Sequence, residues 1–122
     1  MDTVNFSFED LAVWKKAVEF ADKVISLVEG IQTDRKHFRL IEQLEASSTS
    51  IALNIAEGKG RYSKKKFIQF LYIAGGSLYE TVTLLKIFQN RNWISDAQFD
   101  ELRVYGDKTG KMLSSLIRPI KP

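Results

Sequence analysis

Apolar residues recur at intervals of three and four along most of this chain, in four stretches separated by short polar segments. In the first, Phe8, Leu11, Trp14, Val18, Ala21, Ile25 and Val28 form one stripe, and Val13, Ala17, Phe20, Val24 and Leu27 form a second beside it. That spacing predicts an amphipathic helix over about 8–29, capped by Ser7 and Gly30, with an apolar arc wide enough for two neighbours. The polar run Gln32, Thr33, Asp34, Arg35, Lys36 predicts a loop. A second helix is expected over about 38–57, with the seam Ile41, Leu44, Ser48, Ile51, Ile55 and a polar line, Ser47, Ser50, Asn54, Glu57, sharing one face. Gly58 and Gly60 flank Lys59, where unusual backbone conformations are expected to reverse the chain.

The third helix is expected over about 63–90, with Ser63 as N-cap and the core face Phe67, Phe70, Leu71, Ala74, Leu78, Val82, Leu85, Phe88. A second line, Ile68, Tyr72, Gly75, Tyr79, predicts that this helix is the most buried, and the small residues Ala74 to Ser77 predict a close neighbour there. The fourth, over about 96–118, follows a Ser95/Gln98 capping box, carries Phe99, Leu102, Gly106, Thr109, Leu113 and Leu116, and is expected to stop at Pro119. Short connections between four long helices predict an all-α, up-down-up-down antiparallel four-helix bundle occupying residues 1–122 as one domain.

Composition narrows the class without naming a function. The chain has 122 residues, 44% of them apolar and 27% charged, enough for an ordinary core. It has no cysteine, so disulfides and thiolate metal sites are excluded. The acidic start and the lack of a long uncharged apolar run argue against a signal peptide or a membrane span, so a cytoplasmic location is expected. A net charge of +3 is too small to imply a polyanionic partner by itself.

Catalytic constellations are hard to assemble. His37, the single histidine, falls beside the polar loop at the opposite end of the bundle from the Gly58–Tyr62 turn, where a solvated role is expected; a Ser/His/Asp triad or a Glu-x-x-His metal bundle has too little to work with. GKGRYSK lacks Walker spacing and follows a helix, so nucleotide hydrolysis is not expected. The turn does carry Lys59, Arg61, Lys64, Lys65 and Lys66, five cations in eight residues, with Tyr62 among them, and the topology is expected to bring Arg118 and Lys121 to the same end. Lysines in a helix's first turn oppose its dipole, so they either serve an anion or are tolerated at a solvated tip. As phosphate contacts, with Tyr62 stacking on a base, they would bind RNA or DNA with little sequence readout. Ser50, Asn54, Glu57 and Ser77 are expected to form a structural polar network, Glu57 pairing with Arg61 if the line is buried, rather than an active site.

Across Ser50, Ile51, Asn54, Ile55, Ala56, Glu57, Gly58, Gly60, Arg61, Ser63, Phe67, Phe70, Leu71, Ala74, Gly76, Ser77, Leu78 and Glu80, preceded by Phe8, Leu11 and Trp14, the chain resembles the 23S rRNA intervening-sequence proteins. The resemblance implies a four-helix bundle without established enzymatic activity. A similar bundle, the accessory protein of diversity-generating retroelements, forms a pentameric barrel that binds nucleic acid, which implies a homopentamer here. No enzyme activity, cofactor, metal site, small-molecule substrate or membrane partner is expected. The alternative to nucleic-acid binding is a structural or protein–protein interaction module.

Overall fold

A computed structural model describes residues 4–31 and 37–120, so the expected loop at 32–36 and Lys121 lie outside the described residues. A short 3-10 helix, Ser7–Asp10, leads into α1 (Ala12–Glu29), followed by α2 (Phe38–Lys59), α3 (Lys64–Asn90) and α4 (Asp96–Ile120). Each helix packs on its two chain or cyclic neighbours, α1 on α2, α2 on α3, α3 on α4 and α4 on α1. This is the all-α antiparallel up-down-up-down bundle.

The core is built from the predicted stripes. Phe20, Val24, Leu44, Ile51, Ile55, Leu71, Leu85 and Phe88 are fully buried, joined by Phe99, Leu102 and Leu113 from α4. In α1 the second stripe, Val13, Ala17, Phe20 and Val24, points to the centre, whereas Leu11, Trp14 and Val18 pack half-buried at its flank. Burying side chains of this size contributes about 1.5–3 kcal/mol each before the cost of ordering the chain.

Several local expectations are corrected. Ser7 opens the 3-10 helix instead of capping α1, whose N-cap is Leu11 without a side-chain hydrogen bond. Pro119 lies inside the last turn of α4, where its missing amide proton removes one terminal helix bond without stopping the chain. Among the described residues no glycine has positive φ; that conformation falls to Asn92 (φ 62°), in the connection between α3 and α4, and asparagine tolerates it. Gly58 is therefore not a turn residue. It is buried inside α2, which runs on to Lys59, and a Cβ there would stand 2.6 Å from the Phe70 Cβ and 3.1 Å from Phe67 Cδ1. The glycine permits close approach of α3.

Gly75 and Gly76 show the reverse. A Cβ at either position would meet nothing within 4 Å, so the neighbour expected at the small-residue patch is present only for Ala74 and Ser77, which are buried, Ser77 against Ser50 of α2, and not for the two glycines. Tyr72 and Tyr79, with Ile73 and Ile87, are exposed on the outer side of α3, so its second apolar line is surface rather than core. The close contact of α3 with α4 instead runs through Gly106 and Gly110, one helical turn apart on α4, whose absent Cβ atoms would each lie 3.2 Å from Val82 or Leu78.

An ion pair and two cation–ring contacts join α1 to α4 at the surface. Lys16 and Lys23 lie 5.3 and 4.8 Å from the Tyr105 ring centre, and Lys23 Nζ is 3.7 Å from Glu101 Oε1. The Tyr105 hydroxyl and then Lys16 hold the Glu19 carboxyl below its ordinary range; hydrogen bonding to Tyr105 also raises the Lys23 ammonium.

Gly58→Ala should lose about 1–3 kcal/mol through overpacking against Phe70, while Gly76→Ala should gain about 0.5–1 kcal/mol from helix propensity in open space, both read from urea unfolding midpoints. The Glu19 carboxyl should titrate below its unfolded value, so its contribution to stability is present above the ordinary carboxylate range and is lost as pH falls through the folded value. Carbon-detected NMR titration of Tyr105→Phe should show that midpoint moving back up.

Candidate nucleic-acid interface

The turn is placed by the register of α2 against α3. Thr81 Oγ1 donates to Ser47 Oγ at 2.8 Å, and the Ser50 and Ser77 hydroxyls are 2.9 Å apart. Asn54 Nδ2 donates to the Ser50 carbonyl at 2.8 Å and to its hydroxyl at 2.9 Å. Ser47 and Thr81 are buried; the Ser47 hydroxyl donates back to the Leu44 carbonyl, and the single Thr81 hydroxyl proton is shared between Ser47 Oγ and the Ser77 carbonyl, each 2.8 Å away. Among the described residues no buried side-chain nitrogen or oxygen lacks a partner. The polar line of α2 thus lies against α3, and each step along it toward Gly58 is met by an equal step back along α3 toward Phe70. Sequence reasoning did not pair Ser47 with Thr81; two hydroxyl residues on facing core stripes were the available signal.

With the register set, the reversal takes only Gly60 to Ser63. Ser63 Oγ accepts the Lys66 amide at 3.3 Å, so the start of α3 is capped and that amide is already occupied. Glu57, the outermost member of the polar line, is exposed and pairs with Arg61 at 3.1 Å. Arg61 also lies 5.0 Å from the Phe70 ring centre, and Lys59 lies 5.8 Å from that of Phe67. These two cations therefore lie back along the bundle over aromatic rings.

Tyr62, Lys64, Lys65 and Lys66 are exposed, Tyr62 fully so. Successive helical residues turn by about 100°, so the three lysines fan around the tip and do not form one flat face. Each is without a salt-bridge partner among the described residues. Arg118 is set back from the tip, lining a groove of about 840 Å³ between α3 and α4 with Tyr79, Arg103 and Lys111. His37 is at the other end of the bundle. It is half-buried, its ring centre 4.6 Å from that of Trp93, a packing role in place of the solvated one expected.

Among the described residues no group of three or more histidine, aspartate or glutamate side chains is placed to hold a metal ion, and no helix is long and apolar enough to cross a membrane. The sequence profile of the 23S rRNA-intervening sequence proteins matches residues 9–115. The chain belongs to that family. Its bundle is similar to the crystal structure of a protein with unknown function from the S23 ribosomal protein family of Bacteroides thetaiotaomicron, with 29% identity, a TM-score of 0.81, and coverage of 87% of this chain and 98% of the other. No curated protein matches. Membership accounts for the fold, and the family description assigns no chemistry to a residue.

The hydroxyl ladder can be tested apart from any ligand. Thr81→Val should cost about 1–2 kcal/mol, and the Ser47→Ala/Thr81→Val double variant should lose less than the two single losses together, because each single change removes the same hydrogen bond. A double-mutant cycle by chemical denaturation measures the coupling.

Proposed function

We propose that the chain is a non-enzymatic, self-associating bundle that binds RNA or DNA by its phosphates through Lys59, Arg61, Lys64, Lys65 and Lys66, with Tyr62 available to stack on a base. The observation that carries this reading is the first turn of α3, where three exposed lysines stand without a carboxylate partner among the described residues, at a helix end whose dipole disfavours them. The reference to 23S rRNA in the family description makes RNA the first polyanion to try. Lys59 and Arg61 contribute from the sides of the tip, Arg61 by exchanging Glu57 for a phosphate, a cheap exchange at an exposed pair.

The exposed side of α3 favours a second component. Tyr72, Ile73, Tyr79 and Ile87 stand out of the core beside two glycines that leave room for a backbone, a face suited to protein contact. A homopentamer follows the resemblance to the retroelement accessory protein, and such a ring needs a head-to-tail interface that closes. If this face is the whole function, the chain is a structural or protein-interaction module and the lysines only keep the tip solvated.

Electrophoretic shifts with a structured RNA at low and high salt test the main reading. Binding is expected at low salt and should weaken steeply as salt rises; Lys64/Lys65/Lys66→Ala should bind more weakly and reduce the slope of log affinity against log salt by about three. Absence of binding at low salt, or an unchanged variant, overturns it. Light scattering of Ile73→Glu should show a smaller assembly than the parent chain.

A further inference from the structure

At the start of α1, three aromatic rings pack in a short series, Phe6 stacked on Phe8 and Phe8 tilted by 56° against Trp14, that the core does not need in full. Trp14 is half-buried against the core, and Phe8 packs on it with ring centres 5.1 Å apart. Phe6 then lies almost parallel to Phe8, at 7° between ring planes and 5.7 Å between centres, and is 62% exposed. The series is held open by its own backbone: Glu9 donates its amide to the Phe6 carbonyl at 3.0 Å, and Phe6 donates its amide to Glu9 Oε2 at 3.3 Å. Phe6 is thus a positioned ring with a free face, not a loose terminal residue.

Its place in the bundle gives that face a use. The 3-10 helix packs on α2 as well as α1, and α1 runs antiparallel to α2, so the helix sits beside the last turns of α2. That is the end from which Tyr62 and Lys64 to Lys66 project. We propose that Phe6 is a stacking platform for an unpaired base, extending the Trp14–Phe8–Phe6 series by one ring, and that the ligand of the basic turn is single-stranded nucleic acid. This rests on the phosphate-binding reading of the turn and adds to it the class of ligand.

Charge and stacking separate two kinds of recognition. Lysines contact phosphates whether the strand is paired or not, whereas a ring face can be covered only by a base withdrawn from a duplex or never in one. Glu9 and Asp10, three and four residues after Phe6, repel phosphate, so this side of the tip suits a base while the backbone tracks the lysines. Phe6 and the fully exposed Tyr62 then give this end of the bundle two exposed ring faces besides its cations, and sequence readout is weak because every base has a face to offer.

The test compares a labelled single-stranded RNA 15-mer with the same strand annealed to its complement, by fluorescence anisotropy at one low salt concentration, using the full chain. The parent chain should bind the single strand more tightly than the duplex. Phe6→Ala should weaken single-strand binding about tenfold, leave duplex binding unchanged and leave the scattering mass unchanged, and Phe6→Trp should restore the preference. Equal loss on both forms, no loss on either, or a changed scattering mass overturns the platform, the last of these assigning Phe6 to a contact between protein chains. Should Phe6→Ala change nothing while Lys64/Lys65/Lys66→Ala weakens both forms, the phosphate reading survives and the stacking role does not. If the parent chain binds neither form, both fall.

Discussion

The Cβ of Phe70 occupies the space that a side chain at Gly58 would need, and most of the molecule's geometry is tied to that approach. Two helices that come together so closely near their joined ends have little freedom to slide. The hydroxyl contacts of Ser47 with Thr81, and of Ser50 with Ser77, remove what remains, because a slip of one residue would break both hydrogen bonds between the helices, worth about 0.5–1.5 kcal/mol each. Apolar contacts alone are more forgiving, since leucine and isoleucine pack acceptably in more than one register. Packing supplies the stabilisation of this hairpin, and the polar line supplies its uniqueness.

The same constraint explains what could and could not be seen from the sequence. Helix positions and most of the core were legible because the intervals of three and four in Leu44, Ser48, Ile51, Ile55 or Phe99, Leu102, Gly106, Thr109, Leu113 report which face is turned inward. The purpose of each glycine was not. Gly58, Gly75, Gly76, Gly106 and Gly110 all look like interruptions of a helix, yet one admits Phe70, two face open space and two admit α3, distinctions that depend on residues distant in sequence. The outer line of α3 was misjudged for a related reason: periodicity shows that Tyr72 and Tyr79 share a side of the helix but not whether anything lies opposite. The turn's basic residues were legible as a cluster in sequence, whereas their division between rings and solvent was not.

That division changes how the tip can act. Lys59 and Arg61 lie over Phe67 and Phe70, the two rings that Gly58 admits, so the residue that lets the helices meet also fixes where two of the cations rest. Lys64, Lys65 and Lys66 start a capped helix and fan about its axis, so their charge is spread around a small end rather than along a groove. A charge distribution of this shape attracts a polyanion from several directions and holds it in none. Orientation has to come from groups that accept only one arrangement of the ligand, and the groups at this end with that property are flat: the free ring of Tyr62 and the outer ring of Phe6. In the proposed reading, electrostatics at such a site would govern the rate and the salt dependence of association, and the rings which form of the ligand stays.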